Sequence, residues 1–399
     1  MARLSPISDL IARAQAHLGS WGPPDGGVPI VEAFGEVPVE YAAIRKSCGL
    51  MDEPQRAVLE ISGPERLDFL NRMVTQELKG FEPFTVRRTF WLSRKGRIDA
   101  DLRLINLPDR VLADVDTFAA ERAAAGLSGY IITEDVAVRN TGEELHRFSM
   151  HGPGAIALLG QYSTHVAGIA VAEMTPGQAA QVKVDGREAT VFREDVTGEI
   201  GLHLIVAAAN AAKVYETLLQ GAHEHVQRHA SPNPRPLLRP IGWHAFNIAR
   251  IEAGTPLYNI DFGVDSLPAE TGRETLQDRV SFKKGCYLGQ EIVARMNALG
   301  APKQTLVAVR MSDPAATGSA EELSRLPRGG EAVFATAAPG SEPVGAVTSS
   351  TLAPMLSRSP VAFAMVKTRH AGTGMKLWIG VEGGVLEGVV QEVMRFWKR

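Results

Sequence analysis

Apolar residues recur every three to four positions in some stretches of this chain and every second position in others, and the switches between the two periods mark its elements. Leu4, Ile7, Leu10, Ile11 and Leu18 predict a short amphipathic helix over 4–18, ended by the Gly/Pro-rich stretch 19–29. A strand at Val28, Ile30 and Val31 and a helix from Pro38 to Ser47 follow. Val58, Leu59 and Ile61 predict another strand. Ser62-Gly63-Pro64-Glu65 then reads as a helix start, with Ser62 as N-cap and Glu65 closing a capping box, before Leu67, Leu70, Met73, Val74 and Leu78 at helical spacing. Phe148 and Met150, then His151-Gly152-Pro153, then Ile156, Leu158 and Leu159 repeat this order about 90 residues later. The repeat points to duplication of one α+β module.

Between the two copies, Val86–Leu92 and Arg97–Ile105 form a hairpin around Ser93-Arg94-Lys95-Gly96. Its second strand alternates strictly. Ile98, Ala100, Leu102 and Leu104 lie on one face, and Arg97, Asp99, Asp101 and Arg103 on the other. Such a face is either solvated or the lining of a cleft, and the pattern favours neither; in a cleft, Asp99 or Asp101 could bind an amine-bearing ring or stabilise a cation. Val182–Val191 predicts a second hairpin turning at Asp185-Gly186, and Glu199 stands in a turn between Gly198 and Gly201. A strand at Leu204–Val206, a helix through Val214, Leu218 and Leu219, a stiff connector at 231–240 and a helix over 242–250 follow. Residues 255–280 read as a long irregular loop, a kind of segment that often carries function. Beyond Lys303 the texture is short strands at 305–309, 331–334, 344–347, 361–366 and 377–379, with an exposed insertion at 312–330, as in a small antiparallel barrel or sandwich. The terminal Phe396–Arg399 is expected to pack or fray.

Composition narrows the class. A chain of 399 residues suits two or three domains, and 45% hydrophobic with 22% charged residues is ordinary for a globular protein that folds by burial. A net charge of -3 with interspersed signs argues against nucleic acid as partner. Two cysteines, Cys48 and Cys286, make no disulfide framework, residues 1–18 lack the apolar centre of a secretory signal, and no run is long enough to span a bilayer. Expected, then, is a cytoplasmic protein with neither membrane nor nucleic-acid partners.

One stretch concentrates chemistry: Lys283-Lys284-Gly285-Cys286-Tyr287-Leu288-Gly289-Gln290-Glu291, followed by the periodic Ile292, Val293 and Met296. It predicts a tight turn feeding a helix, with Cys286 beside two ammonium groups and near a helix N-terminus, both of which favour a thiolate. Against this stands the commoner role of a lone cysteine as a small buried hydrophobe.

Several motifs occur in a recognisable order. Cys48-Gly49-Leu50-Met51-Asp52, Ser62-Gly63-Pro64, Gly96 to Leu102, Thr197-Gly198-Glu199, Arg250-Ile251-Glu252-Ala253-Gly254-Thr255-Pro256, the Cys286 stretch, and Gly345-Ala346-Val347-Thr348-Ser349 with Ser359-Pro360 together resemble the glycine-cleavage T-protein superfamily. Within it, Lys284 to Glu291 resembles the signature of YgfZ-type folate-binding proteins, which support iron–sulfur enzymes. The resemblance implies an α+β fold: two interleaved α+β subdomains around a central folate channel over residues 1–300, and an antiparallel β-barrel over 301–399. It implies tetrahydrofolate, or a one-carbon derivative, as cofactor. Asp101 matches the acid beside the one-carbon centre, Glu199 the acid that holds the pterin, and Arg250 and Glu252 the Arg-x-Glu-x-Gly segment at the channel. Tyr258 and Gln290 complete the expected folate contacts, Cys286 joins Asp101 as a candidate catalytic group, and no metal ligands are expected. Two departures stand out: Ala100 replaces the first of two adjacent acids, and Phe246 stands where the T-protein has an arginine.

Three functions compete. The first is a folate-binding accessory protein for iron–sulfur cluster assembly or repair, with Cys286 as functional thiol and iron–sulfur client or assembly proteins as partners; one cysteine cannot hold a cluster alone. The second is a folate-dependent aminomethyl- or methyltransferase, and the third a non-catalytic scaffold. Whether the chain is an enzyme is left open by its residues.

Overall fold

The computed structural model describes residues 3–228, 238–312, 326–338 and 340–397, with side chains for all of these except 221–228 and 299. The connector expected at 231–236 and most of the insertion expected at 312–330 lie outside the described residues. Two compact units emerge, one of Met1–Thr89 with Ala100–Phe246, the other of Phe90–Asp99 with Asn247–Arg399.

The first unit is built on two sheets. Seven strands lie in the spatial order Ser163–Gly168, Ala179–Val184, Arg187–Arg193, Gly201–Ala207, Leu145–His151, Gly49–Asp52 and Arg239–Pro240. Five more run Val86–Leu92, Ile98–Asn106, Arg110–Asp116, Arg56–Ser62 and Ala137–Asn140, the hairpin end 90–99 being counted with the second unit. Val58, Ile105 and Leu112 of one sheet pack with Phe192 and Ile205 of the other. The Asp185-Gly186 hairpin forms as expected, both residues taking positive φ, 48° and 76°, the geometry that matches strand twist in a two-residue turn. Helix Thr117–Ser128 starts where the Asp116 carboxylate accepts the Phe118 amide at 2.9 Å, and buries Ala119, Ala120, Ala123 and Leu127.

The duplicated strand, glycine and helix are present twice, as Arg56–Ser62 with Arg66–Met73 and as Leu145–His151 with Ala155–Tyr162. The expected capping box is not. Ser62 ends the strand, paired with Arg110 and Ala137, and the Glu65 carboxylate accepts the Asp135 amide at 2.6 Å instead. Gly63 is required at that corner: its φ is +102°, and a Cβ there would lie 2.1 Å from the Asp135 carbonyl oxygen. The N-terminal helix is also shorter than its periodicity predicts. It covers Ser8–Arg13, because His17–Trp21 is drawn into an antiparallel ladder with Val28–Ala33 that satisfies its backbone groups.

In the second unit, the irregular stretch after residue 254 contains the short helix Arg273–Arg279, and Gln290–Leu299 is the helix expected after the cysteine motif. A closed six-stranded antiparallel barrel follows, in the order Gln304–Ser312, Ser359–Lys367, Pro343–Ala353, Ala332–Phe334, Lys376–Val381 and Gly384–Val390. The last strand escapes the sequence reading because Glu387 and Gly388 interrupt its apolar run. It nonetheless pairs along its length with Lys376–Val381 and closes the barrel. At the chain end Phe396 stacks on Phe363 at 6.1 Å, so the terminus packs.

Candidate functional site

The Asp101 face is not solvated. The strand Ile98–Asn106 is buried on both sides over most of its length, and Asp101 and Arg103 are only 2% and 5% exposed. Arg103 Nη1 donates to Asp101 Oδ2 at 3.2 Å and its Nε donates to Glu194 Oε2 at 2.9 Å. Arg88 lies 3.1 Å from the other Glu194 oxygen. Asp114 is held by Arg56 and by Arg147 at 2.6 Å, and Arg147 also lies 3.0 Å from Glu53. Four arginines (56, 88, 103, 147) thus meet four carboxylates (Glu53, Asp101, Asp114, Glu194) where the two sheets face each other. Charges so deep are tolerated only when paired and hydrogen-bonded. Burial works against the Arg103 charge, but Glu194 above all, with Asp101 and Asp114, holds the guanidinium well above its usual range. Burial likewise opposes ionisation of Glu53, yet Arg147, with His203, keeps that carboxyl well below the usual range.

Among the histidines of this network, His203 Nε2 donates to the Glu194 carbonyl at 3.0 Å. His151 is fully buried beside Ser149, and burial, reinforced by His203, pushes its imidazole down to about 3. Its folded value lies below the unfolded value of about 6.5. Between the two, the unfolded chain therefore binds the additional proton. This contribution to stability is complete above about pH 6.5 and is lost as the pH falls towards 3. Urea midpoints should fall between pH 6.5 and pH 5, and His151→Gln should flatten that slope by about one proton. The depressed Glu53 and Glu194 act in a separate window, losing their contribution only as the pH falls below about 4.3.

Glu199 lies in the loop that follows Glu194. It is buried, with Arg45 Nη1 at 3.8 Å from Oε1 while the same nitrogen donates to the Thr197 carbonyl at 2.6 Å. Gly198, between them, has φ +79°. The Thr197 hydroxyl is fully buried and has no hydrogen-bond partner among the described residues. A buried hydroxyl in that state has donor and acceptor capacity left for a ligand. Phe246 packs 5.3 Å from the His151 ring and 5.7 Å from Trp243, an apolar contact where the resemblance expects a cation.

In the second unit, Arg250 is 0% exposed and its donors are largely used. Nε donates to Asn247 at 2.8 Å, Nη2 to Ser349 Oγ at 2.6 Å, and Nη1 both to the Thr255 carbonyl and to Asp261. Asp261 in turn accepts from Thr348 at 2.7 Å, Ser349 and the Leu257 amide. The pair pins the loop after residue 254 to the barrel strand Pro343–Ala353 of the same unit. Glu252 accepts the Met355 amide at 2.9 Å, and the Tyr258 hydroxyl donates to the Asp99 carbonyl at 2.9 Å.

Cys286 is exposed on the loop before helix Gln290–Leu299, whereas Cys48 is fully buried. Lys284 folds over the Tyr287 ring at 5.1 Å, and Gln290 accepts the Tyr287 amide at 3.3 Å, closing the turn. Gly289 adopts φ +79° with Ser93 and Gly96 of the hairpin tip against it, and an added Cβ would sit 2.8 Å from the Ser93 carbonyl oxygen. Gly289→Ala should therefore cost about 1–2 kcal/mol in urea unfolding. Gly285→Ala, with open space around it, should stay within about 0.5 kcal/mol.

The residues that sequence reasoning passes over are Arg45, Asp261 and Glu194. Glu194 had one usable signal, an acid next to an arginine-bearing strand; Asp261, in an irregular loop, had none. Among the described residues no group of three or more His, Cys, Asp or Glu side chains could hold a metal ion, and no helix is long and apolar enough to cross a membrane.

A two-sheet body followed in sequence by a closed six-stranded barrel is the architecture of the T-protein class. The chain belongs to the glycine cleavage T-protein family: residues 29–284 match the GCVT N-terminal domain and 319–395 the T-protein C-terminal barrel domain. It is similar to the aminomethyltransferase of Geobacillus kaustophilus, 27% identical over 403 residues and 100% of both chains. The aminomethyltransferase of Cutibacterium acnes is 27% identical over 366 residues and 90% of each chain. In fold it is similar to the glycine cleavage system aminomethyltransferase T of Bartonella henselae, with a TM-score of 0.82 at 19% identity over 100% of this chain and 99% of that one.

Proposed function

We propose that this protein binds tetrahydrofolate, or a one-carbon derivative of it, and transfers an aminomethyl or methyl carbon onto it. The observation that carries this reading is the buried Asp101 carboxylate oriented by Arg103 at 3.2 Å, on the strand where the family resemblance puts the acid of the one-carbon centre. A fixed carboxylate away from water stabilises positive charge on a reacting group far better than one in bulk solvent. Tetrahydrofolate, when bound, supplies the nucleophilic nitrogen that takes up the carbon. Glu199 and Thr197 suit the pterin: a buried carboxylate accepts from its amino and ring N–H groups, and the partnerless Thr197 hydroxyl meets a further polar atom. Arg250, Glu252 and Tyr258 serve by shaping the segment 250–262, through hydrogen bonds to Asp261, the Met355 amide and the Asp99 carbonyl.

Calorimetric titration with tetrahydrofolate, followed by incubation with amine- and methyl-bearing donors, tests this directly. One-carbon folate should form. Binding with no transfer from any donor would reject the transferase, and absence of binding would reject the folate reading as well.

A second reading, the iron–sulfur accessory role of YgfZ-type proteins, is favoured by one observation, the exposure of Cys286 on its loop. Cys286→Ala separates the two. Under the transferase reading it keeps folate affinity and transfer. Under the accessory reading it fails to complement a strain defective in iron–sulfur enzymes.

A further inference from the structure

We infer that Arg45 is a positioning residue for the ligand: from helix Val37–Lys46 it fixes the apex of the 194–201 turn and so sets where the Thr197 hydroxyl is held. This role rests on the reading of Thr197 and Glu199 as contacts to the pterin. Arg45 stands near the end of its helix, and its side chain is only 5% exposed. Two different nitrogens of the guanidinium are engaged. Nε donates to the Tyr41 hydroxyl at 3.0 Å, one helical turn back, and Nη1 donates to the Thr197 carbonyl at 2.6 Å, 152 residues further along the chain. The cation also lies over the Tyr41 ring, 5.2 Å from its centre. A planar group gripped in this way has little freedom to rotate, so the carbonyl that accepts its charge-assisted bond is held by the helix.

The turn has two kinds of anchor. Its ends are tied locally: the Glu194 amide donates to the Gly201 carbonyl at 2.9 Å, and the Asp195 carboxylate, paired with Arg193 at 2.9 Å, accepts the Gly201 amide at 3.0 Å. At the apex the Gly198 amide reaches the Asp195 carbonyl at 3.0 Å, and Gly198 takes a φ of +79° that side-chain-bearing residues resist. Arg45 joins that apex to an element far away in sequence. Thr197 itself is fully buried; its carbonyl is taken by Arg45, whereas its hydroxyl has no hydrogen-bond partner among the described residues. The residue is therefore pinned by its backbone and open at its side chain, the arrangement of a contact that is preorganised before a ligand arrives. Glu199, two residues later and also buried, is carried by the same apex.

The test compares the parent with Arg45→Lys, Arg45→Gln, Thr197→Val and the double variant Arg45→Gln/Thr197→Val. Calorimetric titration with tetrahydrofolate should show about tenfold weaker binding for Arg45→Gln and for Thr197→Val, the loss expected when one such hydrogen bond goes, with Arg45→Lys between Arg45→Gln and the parent. Because Arg45 acts through the placement of Thr197, the double variant should bind more tightly than the product of the two single losses predicts. In the transfer reaction of Arg45→Gln, KM should rise while kcat at saturating folate changes far less. Single losses that simply multiply would overturn the inference, and so would parent-like affinity in Arg45→Gln. The ligand-free protein gives a readout that needs no folate. Amide hydrogen exchange at Gly198 should speed up by about tenfold or more in Arg45→Gln, while the Gly201 amide and helix Thr117–Ser128 exchange as in the parent. Unchanged exchange at Gly198 would count equally against Arg45. Arg45→Lys, which keeps the charge and one donor group, carries the same measurements if Arg45→Gln does not fold, with a smaller rise expected. Should the parent fail to bind tetrahydrofolate, the functional reading falls, and exchange at Gly198 alone decides the role of Arg45.

Discussion

Replacing Asp101 with Asn should lower one-carbon transfer to tetrahydrofolate by about 100-fold or more, the range seen when one preorganised charge-stabilising group is removed. The substitution is nearly isosteric and leaves Arg103 paired with Glu194 and close to Asp114, so the sheet-to-sheet contact should persist. Single-turnover rates measured at saturating folate separate the chemical step from binding. The expected pattern is a collapse of the rate with folate affinity changed much less. A fall of less than about fivefold would take the carboxylate out of the reaction, since a displaced water or a neighbouring acid rarely restores a lost catalytic charge so fully.

Arg250→Met should destabilise the second unit by about 3–5 kcal/mol, the usual cost of leaving a buried charge without its partner. Asp261 would then keep its bonds from Thr348, Ser349 and Leu257 but lose the cation that balances it. Adding Asp261→Asn removes the orphaned charge while keeping an acceptor, so the double variant should recover at least about 1 kcal/mol relative to Arg250→Met alone. Urea unfolding followed by tryptophan fluorescence measures both. If Arg250→Met proved as stable as the parent, Arg250 would not be the pin of the 255–262 segment, and a direct ligand role for its guanidinium would regain weight.

Much of the architecture was legible along the chain. The hairpin over 86–105, the Asp185-Gly186 turn, the doubled strand-glycine-helix unit and the barrel texture all follow from period, turn chemistry and the placement of glycine. The motifs around Asp101, Glu199 and Cys286 likewise drew attention to those residues before any coordinates. Local rules failed at Ser62 and at His17–Trp21, where ladder hydrogen bonds to distant strands outcompeted a cap and a helix. Arg250, which the family resemblance assigns to the folate channel, also ties a loop to a barrel strand, a role no local rule reads from the sequence.

By itself, then, the sequence determined which side chains share a face: a period of two put Asp101 and Arg103 side by side whatever covered them. Whether that face met water or protein was decided only by the tertiary structure, through partners such as Glu194, 91 residues further along the chain. The physical reason is that alternation sets direction locally, whereas burial, and with it the strength of every charge interaction at the site, depends on which sheet is laid against it.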